Sequence, residues 1–207
     1  MKGTVRKTAA VIFTAFMTLA MLCGCARDFD AEGYVKACLD ALYMREYDAY
    51  ADMVGISADE AKSDLEGDFQ STVDEAFLGD TVTSEEDKQA YSDAIVNVYK
   101  LAKYEVTGSV EKDGNYVVTV EVQPCMIFAN LEEEMTARAE QAVADGTYDE
   151  TKYIASLNGY LNDAVSSCEY GDTQEVQVNV TRDEDNVYTI SEADLTYIEG
   201  ALFPGAV

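Results

Sequence analysis

Two runs of valine at alternate positions constrain this chain more than any other feature. Tyr116, Val118, Val120 and Val122 form one run; Val176, Val178 and Val180 form the other. A period of two is the side-chain period of a strand, and an apolar face of this kind needs a cover. Each run belongs to a predicted hairpin. Tyr104, Val106 and Val110 precede the first across a turn at Lys112-Asp113-Gly114-Asn115. Tyr188 and Ile190 follow the second across Asp183-Glu184-Asp185-Asn186. Polar turns rich in Asp, Asn and Gly between alternating runs are the hairpin pattern. Pro124 ends the first hairpin, because it cannot donate to a ladder.

Outside the hairpins the period is helical. A first helix is predicted from about Asp30 to Met53, with Val35, Leu39, Leu42 and Tyr43 on one side. Ser57 and Glu60 form a capping box for a second, whose stripe is Ala61, Leu65, Phe69, Val73 and Phe77 and whose end is Gly79. A third begins at Ser84 with three acids in its first turn and buries Tyr91, Ala94, Ile95, Val98 and Leu101. Two antiparallel helices are expected over about Met126 to Asp145 and Glu150 to Tyr170, and a last one after Ser191 through Leu195, Ile198 and Leu202. The fold class is therefore α+β: an antiparallel sheet from two β-hairpins packed against about five to six helices.

The first residues do not belong to that domain. Lys2, Arg6 and Lys7 form a basic start, and Thr8 to Leu22 follows without a charge. This is the build of a signal peptide, too short for a comfortable membrane span, which needs about 20 apolar residues. Leu22-Cys23-Gly24-Cys25 resembles the bacterial lipobox. Leu22 occupies the −3 position and Gly24 is the small residue before the cut. Cys23 at −2 departs from the usual Ala or Ser. Cys25 would supply the thiol that carries the lipid. Cys23 is the poorer lipidation site, since Leu22 would then fill the small position. The division expected is a signal peptide over 1–24, a lipidated cysteine and short linker over 25–30, and a single extracytoplasmic domain over 31–207.

Composition narrows the function. Three of the 14 basic residues precede the cut and all 40 acids follow it, which moves the formal net charge from −26 to about −29. That field repels nucleic acid and anionic surfaces, and favours cationic partners, divalent ions or peptides. The chain has no His. Ser-His-Asp and Cys-His nucleophile systems and His-ligated zinc are thereby excluded, whereas carboxylate chemistry is not.

The lipobox, the early helix Tyr34-Val35-Lys36-Ala37 with Leu39-Asp40, the acidic helix start from Ser57 to Ala61, and the closing Val187-Tyr188-Thr189-Ile190 with Asp194-Leu195 carry a resemblance. They are similar to a group of Gram-positive cell-surface lipoproteins built around a domain of unknown function. The order of helices and curved sheet also resembles the cystatin-like and nuclear-transport-factor-like folds, with the helical pair over Met126 to Tyr170 as an insertion. The resemblance implies an envelope location and transfers no catalytic residue.

Several constellations compete with simpler readings. Asp28, Asp30, Glu32 and Gly33 match the start of a calcium loop, but its twelfth position falls on Leu39 instead of Glu. A helix cap explains them better. Asp183 to Asn186 reads as a solvated turn and Glu132-Glu133-Glu134 as a solvated face. Tyr43, Tyr47 and Tyr50 lie near one helical face, as core packing or as a peptide- or sugar-binding stripe. No catalytic residue, metal ligand or cofactor is assigned.

Of the cysteines beyond the cut, Cys38 is expected as a buried thiol. Cys125 and Cys168 fall level with each other across the helical pair and could bridge. The leading expectation is a non-enzymatic module, held to the membrane by its lipid, that binds a cationic or peptide ligand or an envelope protein. A carboxylate-based envelope enzyme such as a glycan-acting hydrolase is the alternative, and a structural or assembly protein is a third. The first alternative requires two carboxyls about 5–10 Å apart in a cleft. The sequence does not fix the oligomeric state.

Overall fold

The computed structural model describes residues 21–22, 29–184 and 186–206. Their order is β1 (Met21–Leu22), α1 (Ala31–Leu39), α2 (Asp48–Val54), α3 (Ala58–Ala76), α4 (Glu85–Tyr99), β2 (Lys103–Lys112), β3 (Asn115–Gln123), α5 (Leu131–Ala144), α6 (Tyr153–Val165), β4 (Gln174–Arg182), β5 (Val187–Ile190) and α7 (Glu192–Leu202). The strands form one antiparallel sheet in the order β1-β5-β4-β3-β2. Both hairpins lie at the predicted places, so the α+β class holds.

Valine alternation sets the register. Val118 faces Val178, Val120 faces Val176, and Tyr116 faces Val180 across β3 and β4. Those five valines and Val122 are buried, and α1 and α7 pack on the strands that carry them. The opposite face carries Thr119, Glu121, Glu175, Gln177 and Asn179, exposed or half-exposed. Beyond a register shift between Val106 and Gly108, the side chains of β2 change face. Val110, expected to point inward with Val106, is therefore 68% exposed.

The predicted first helix is broken. Asp30 caps α1 by accepting from the Gly33 amide. A side chain at Gly33 would meet the Asp30 carboxyl and Met53, so glycine is required there. From Asp40 to Met44 the backbone widens to a π-helical turn, and Arg45 closes it in the left-handed conformation at φ 60°. The Asp40 carbonyl accepts from the amides of both Arg45 and Glu46. The chain then reverses, so that Met53 in α2 reaches back to Gly33 at the start of α1. The two later helices are also shorter than expected. Each is preceded by a separate 3-10 turn, at Met126–Phe128 and Glu150–Lys152.

The helices continue past the sheet. Tyr170 donates to the Leu101 carbonyl at the sheet end of α4, and Asn158 donates to the Asp87 carbonyl in its first turn. The segment through α6 therefore runs alongside α4 in the same direction. Arg138 of α5 pairs with Asp163 of α6 at 2.9 Å across the helical pair. Phe77 at the end of α3 meets Tyr91 of α4 edge-on at 5.5 Å. With 15 residues and 1.5 Å of rise per residue, α4 runs roughly 20 Å from its sheet end to its first turn.

The stripe of α3 is inside as predicted: Ala61, Leu65, Phe69, Val73 and Phe77 are all buried. Phe69 touches the Tyr99 ring and lies under the Arg45 guanidinium at 4.7 Å. Truncation to Phe69→Ala should cost about 3–5 kcal/mol. Urea unfolding at neutral pH checks it; a midpoint equal to wild type would contradict the packing described.

Candidate functional site

The residues that enter the domain first are fixed by aromatic packing. Phe29 stacks on Tyr188 with ring centres 3.7 Å apart and planes within 4°. It also meets Tyr34 and Tyr116 at 5.5 and 5.4 Å. Tyr34 donates to the Tyr188 carbonyl, which ties α1 to β5. Tyr116 and Tyr188 stand beside the two hairpin turns, so the chain enters at the turn end of the sheet. Cys23, Gly24 and Cys25 lie outside the described residues, as does Asp28 of the calcium-like run. Leu22 belongs to β1, which pairs with Tyr188 and Val187.

The remaining sequence candidates divide clearly. Asp30 serves as a helix cap, and Asp183 accepts from the Val187 amide within the hairpin turn. Among the described residues, no group of three or more His, Cys, Asp or Glu side chains is placed to hold a metal ion. Tyr43, Tyr47 and Tyr50 are at most 9% exposed and pack inward. They form no surface stripe. Tyr47 donates to Glu66 at 3.1 Å. Glu132, Glu133 and Glu140 line a solvent-open groove of about 540 Å³ along α5, with Asn130, Thr136 and Ala137.

Glu105, Glu121 and Glu175 are register partners on three adjacent strands. Like charges placed directly opposite weaken a sheet. The alternating pattern of each strand accounts for every one of them singly, but their alignment depends on pairing that the sequence does not display.

One acid is hidden. Glu199 of α7 is 2% exposed and accepts a hydrogen bond from Tyr99 at 3.1 Å. Burial pushes its carboxyl up to about 7, and the Tyr99 hydroxyl draws it partly back. Tyr43 lies edge-on to Tyr99 at 5.5 Å, and its own hydroxyl is raised well above the usual range by burial and by Glu199. The acid therefore sits among tyrosines, with a phenol as its hydrogen-bond partner. Sequence reading passed over it, although Glu199 stands four residues after Leu195 and three before Leu202, on the buried stripe of α7.

Cys125 and Cys168 are joined in a disulfide with Cα atoms 6.5 Å apart. A short antiparallel bridge between Cys125 and Tyr170 aligns the two segments, and the Met126 amide donates to the Glu169 carbonyl. The crosslink closes the loop that carries α5 and α6. Cys38 is buried and free.

Comparison with known proteins adds the fold alone. No family model and no curated protein matches the chain. It is similar to the crystal structure of YcdA, a candidate lipoprotein from Bacillus subtilis strain 168, with a TM-score of 0.61 at 12% identity. The likeness covers 84% of this chain and 56% of that one. This chain thus spans little more than half of that protein's length.

Two measurements follow. An acid that holds its proton more tightly when folded contributes stability in full below its unfolded pKa, near 4.5, and loses it as pH rises through about 7. Glu199→Gln should therefore gain on wild type with rising pH, by about 3 kcal/mol between pH 4.5 and 8. Parallel urea curves over that range would contradict the burial of this carboxyl. Intact mass of the purified protein should rise by two hydrogens on reduction; no rise would mean that Cys125 and Cys168 are free thiols.

Proposed function

We propose that this chain is a bacterial lipoprotein, anchored through a lipid on Cys25 to the outer face of a membrane, where its domain binds a partner without catalysing a reaction. The observation that carries the reading is Leu22-Cys23-Gly24-Cys25 placed directly after a basic start and an uncharged apolar stretch. A single acyl chain binds a membrane marginally and a second makes the anchor stable, so a diacylated or triacylated cysteine requires no spanning helix. Among the described residues no helix is long and apolar enough to cross a membrane. The fold likeness to YcdA, itself a candidate lipoprotein, agrees with this reading.

Binding is favoured over carboxylate hydrolysis by where the acids stand. Hydrolysis of a glycosidic bond uses two carboxyls facing each other across a cleft. Glu199 is sealed in the core beside Tyr99, and Glu132, Glu133 and Glu140 share one open helix. Cys25→Ala should leave the protein unlipidated, either unprocessed or released from the membrane. Labelling of cells with a fatty-acid analogue, followed by fractionation, reads this directly; equal labelling of variant and wild type would overturn the anchor.

A further inference from the structure

The domain has two unlike poles. Phe29, only four residues beyond Cys25, is held by Tyr188, Tyr116 and Tyr34 at the turn end of the sheet. Four residues reach at most about 14 Å. The opposite pole is the end of the upper bundle, where α3 ends and α4 and α6 begin. Phe77 against Tyr91 ties the end of α3 to α4, and Asn158 against Asp87 ties the first half of α6 to the first turn of α4.

Exposed apolar side chains gather at that far pole. Among the described residues eight large apolar side chains are exposed, and five of them are here: Leu78, Val82, Val143, Tyr148 and Tyr153. Leu78 is 86% exposed, Val82 58% and Tyr148 57%. None is demanded by packing, and such a concentration marks interaction surface more often than chance. The pole is also strongly acidic. Residues 74–88 hold six acids and one lysine, and residues 140–152 hold four acids and one lysine. Lys88 is already paired with Glu85 at 2.7 Å.

We propose that this membrane-distal tip is the docking site for a basic amphipathic segment of a partner protein. The inference rests on the anchored, binding-module reading above and adds the place and the chemistry. Leu78, Val82 and Tyr148 supply the apolar contact, and the surrounding acids supply the complement to Lys and Arg on the partner. The same acids disfavour the other occupants. A second copy would bring its own acidic rim against this one, and an anionic lipid surface would be repelled.

The test uses residues 26–207, which contain every buried apolar core side chain among the described residues, from Ala31 to Ala206. A fluorescent synthetic helix of Lys and Leu is titrated by anisotropy, beside a Glu and Leu helix of equal length. Wild type should bind the basic helix and not the acidic one. Leu78→Ser/Val82→Ser/Tyr148→Ser should weaken binding at least tenfold, while Val110→Ser/Tyr197→Ser, exposed elsewhere, should leave it unchanged. Both variants keep the net charge, so general attraction to an acidic protein is constant across the comparison. Equal affinity of the tip variant and wild type would overturn the proposal. So would equal binding of the acidic helix, or a dimer in sedimentation that the tip variant abolishes. No lipid is present, so failure here leaves the anchor reading to be judged by Cys25 labelling alone.

Discussion

One face of the sheet must be kept from water, and the rest of the domain is arranged to do it. Val118, Val120, Val122, Val176, Val178 and Val180 are at most 3% exposed. Burial of a valine side chain stabilises by about 1.5–3 kcal/mol relative to exposure. Strands pair edge to edge and cannot cover a face of their own sheet, so α1 and α7 lie across it. This fixes where the two ends of the described domain are. The start of α1 is drawn to the hairpin turns, where Phe29 and Tyr34 meet Tyr188, and α7 brings Glu199 under the tyrosines of α4 and the π-helical turn.

What could be read from sequence follows the reach of local pattern. Period two reveals both hairpins, and period 3.6 reveals the stripes of α3, α4 and α7, because each pattern repeats within one element. The reversal at Arg45 has no such mark. Its neighbourhood holds no Gly or Pro, and the apolar spacing from Leu39 to Tyr43 is compatible with an unbroken helix. The turn exists because Asp40 is fixed from outside its own helix, by the Tyr104 hydroxyl at 2.8 Å, and because Arg45 finds the Phe69 ring. Val110 turns outward for a related reason: the bulge after Val106 exists only in the pairing with β3. Tyr43, Tyr47 and Tyr50 admitted two readings on a helical wheel, and the reversal into α2 turns all three inward. At the candidate site the lipobox-like run Leu22-Cys23-Gly24-Cys25 is legible because its pattern is contiguous in the sequence, whereas Glu199 is legible only once the stripe of α7 is drawn.

These features give the domain a direction. Aromatic packing holds the point of entry at one end, and the upper bundle carries its exposed apolar side chains at the other. Removal of residues before Cys25 would also take away β1, leaving β5 as the sheet edge. At four residues it is short, which is one way natural sheets limit unwanted pairing at an edge. On a membrane, the hairpin turns would face the bilayer and the α3–α4 loop would face outward.

The chain contains no tryptophan, so a single introduced indole reports from one place. Lys112→Trp puts it at the hairpin turn and Leu78→Trp at the opposite tip. With the lipidated protein in vesicles carrying a dansyl-headgroup lipid, energy transfer to the membrane is the decisive measurement. Strong transfer from Trp at 112 and weak transfer from Trp at 78 is the predicted result; equal transfer from both, or stronger transfer from 78, would contradict the orientation on which the account depends.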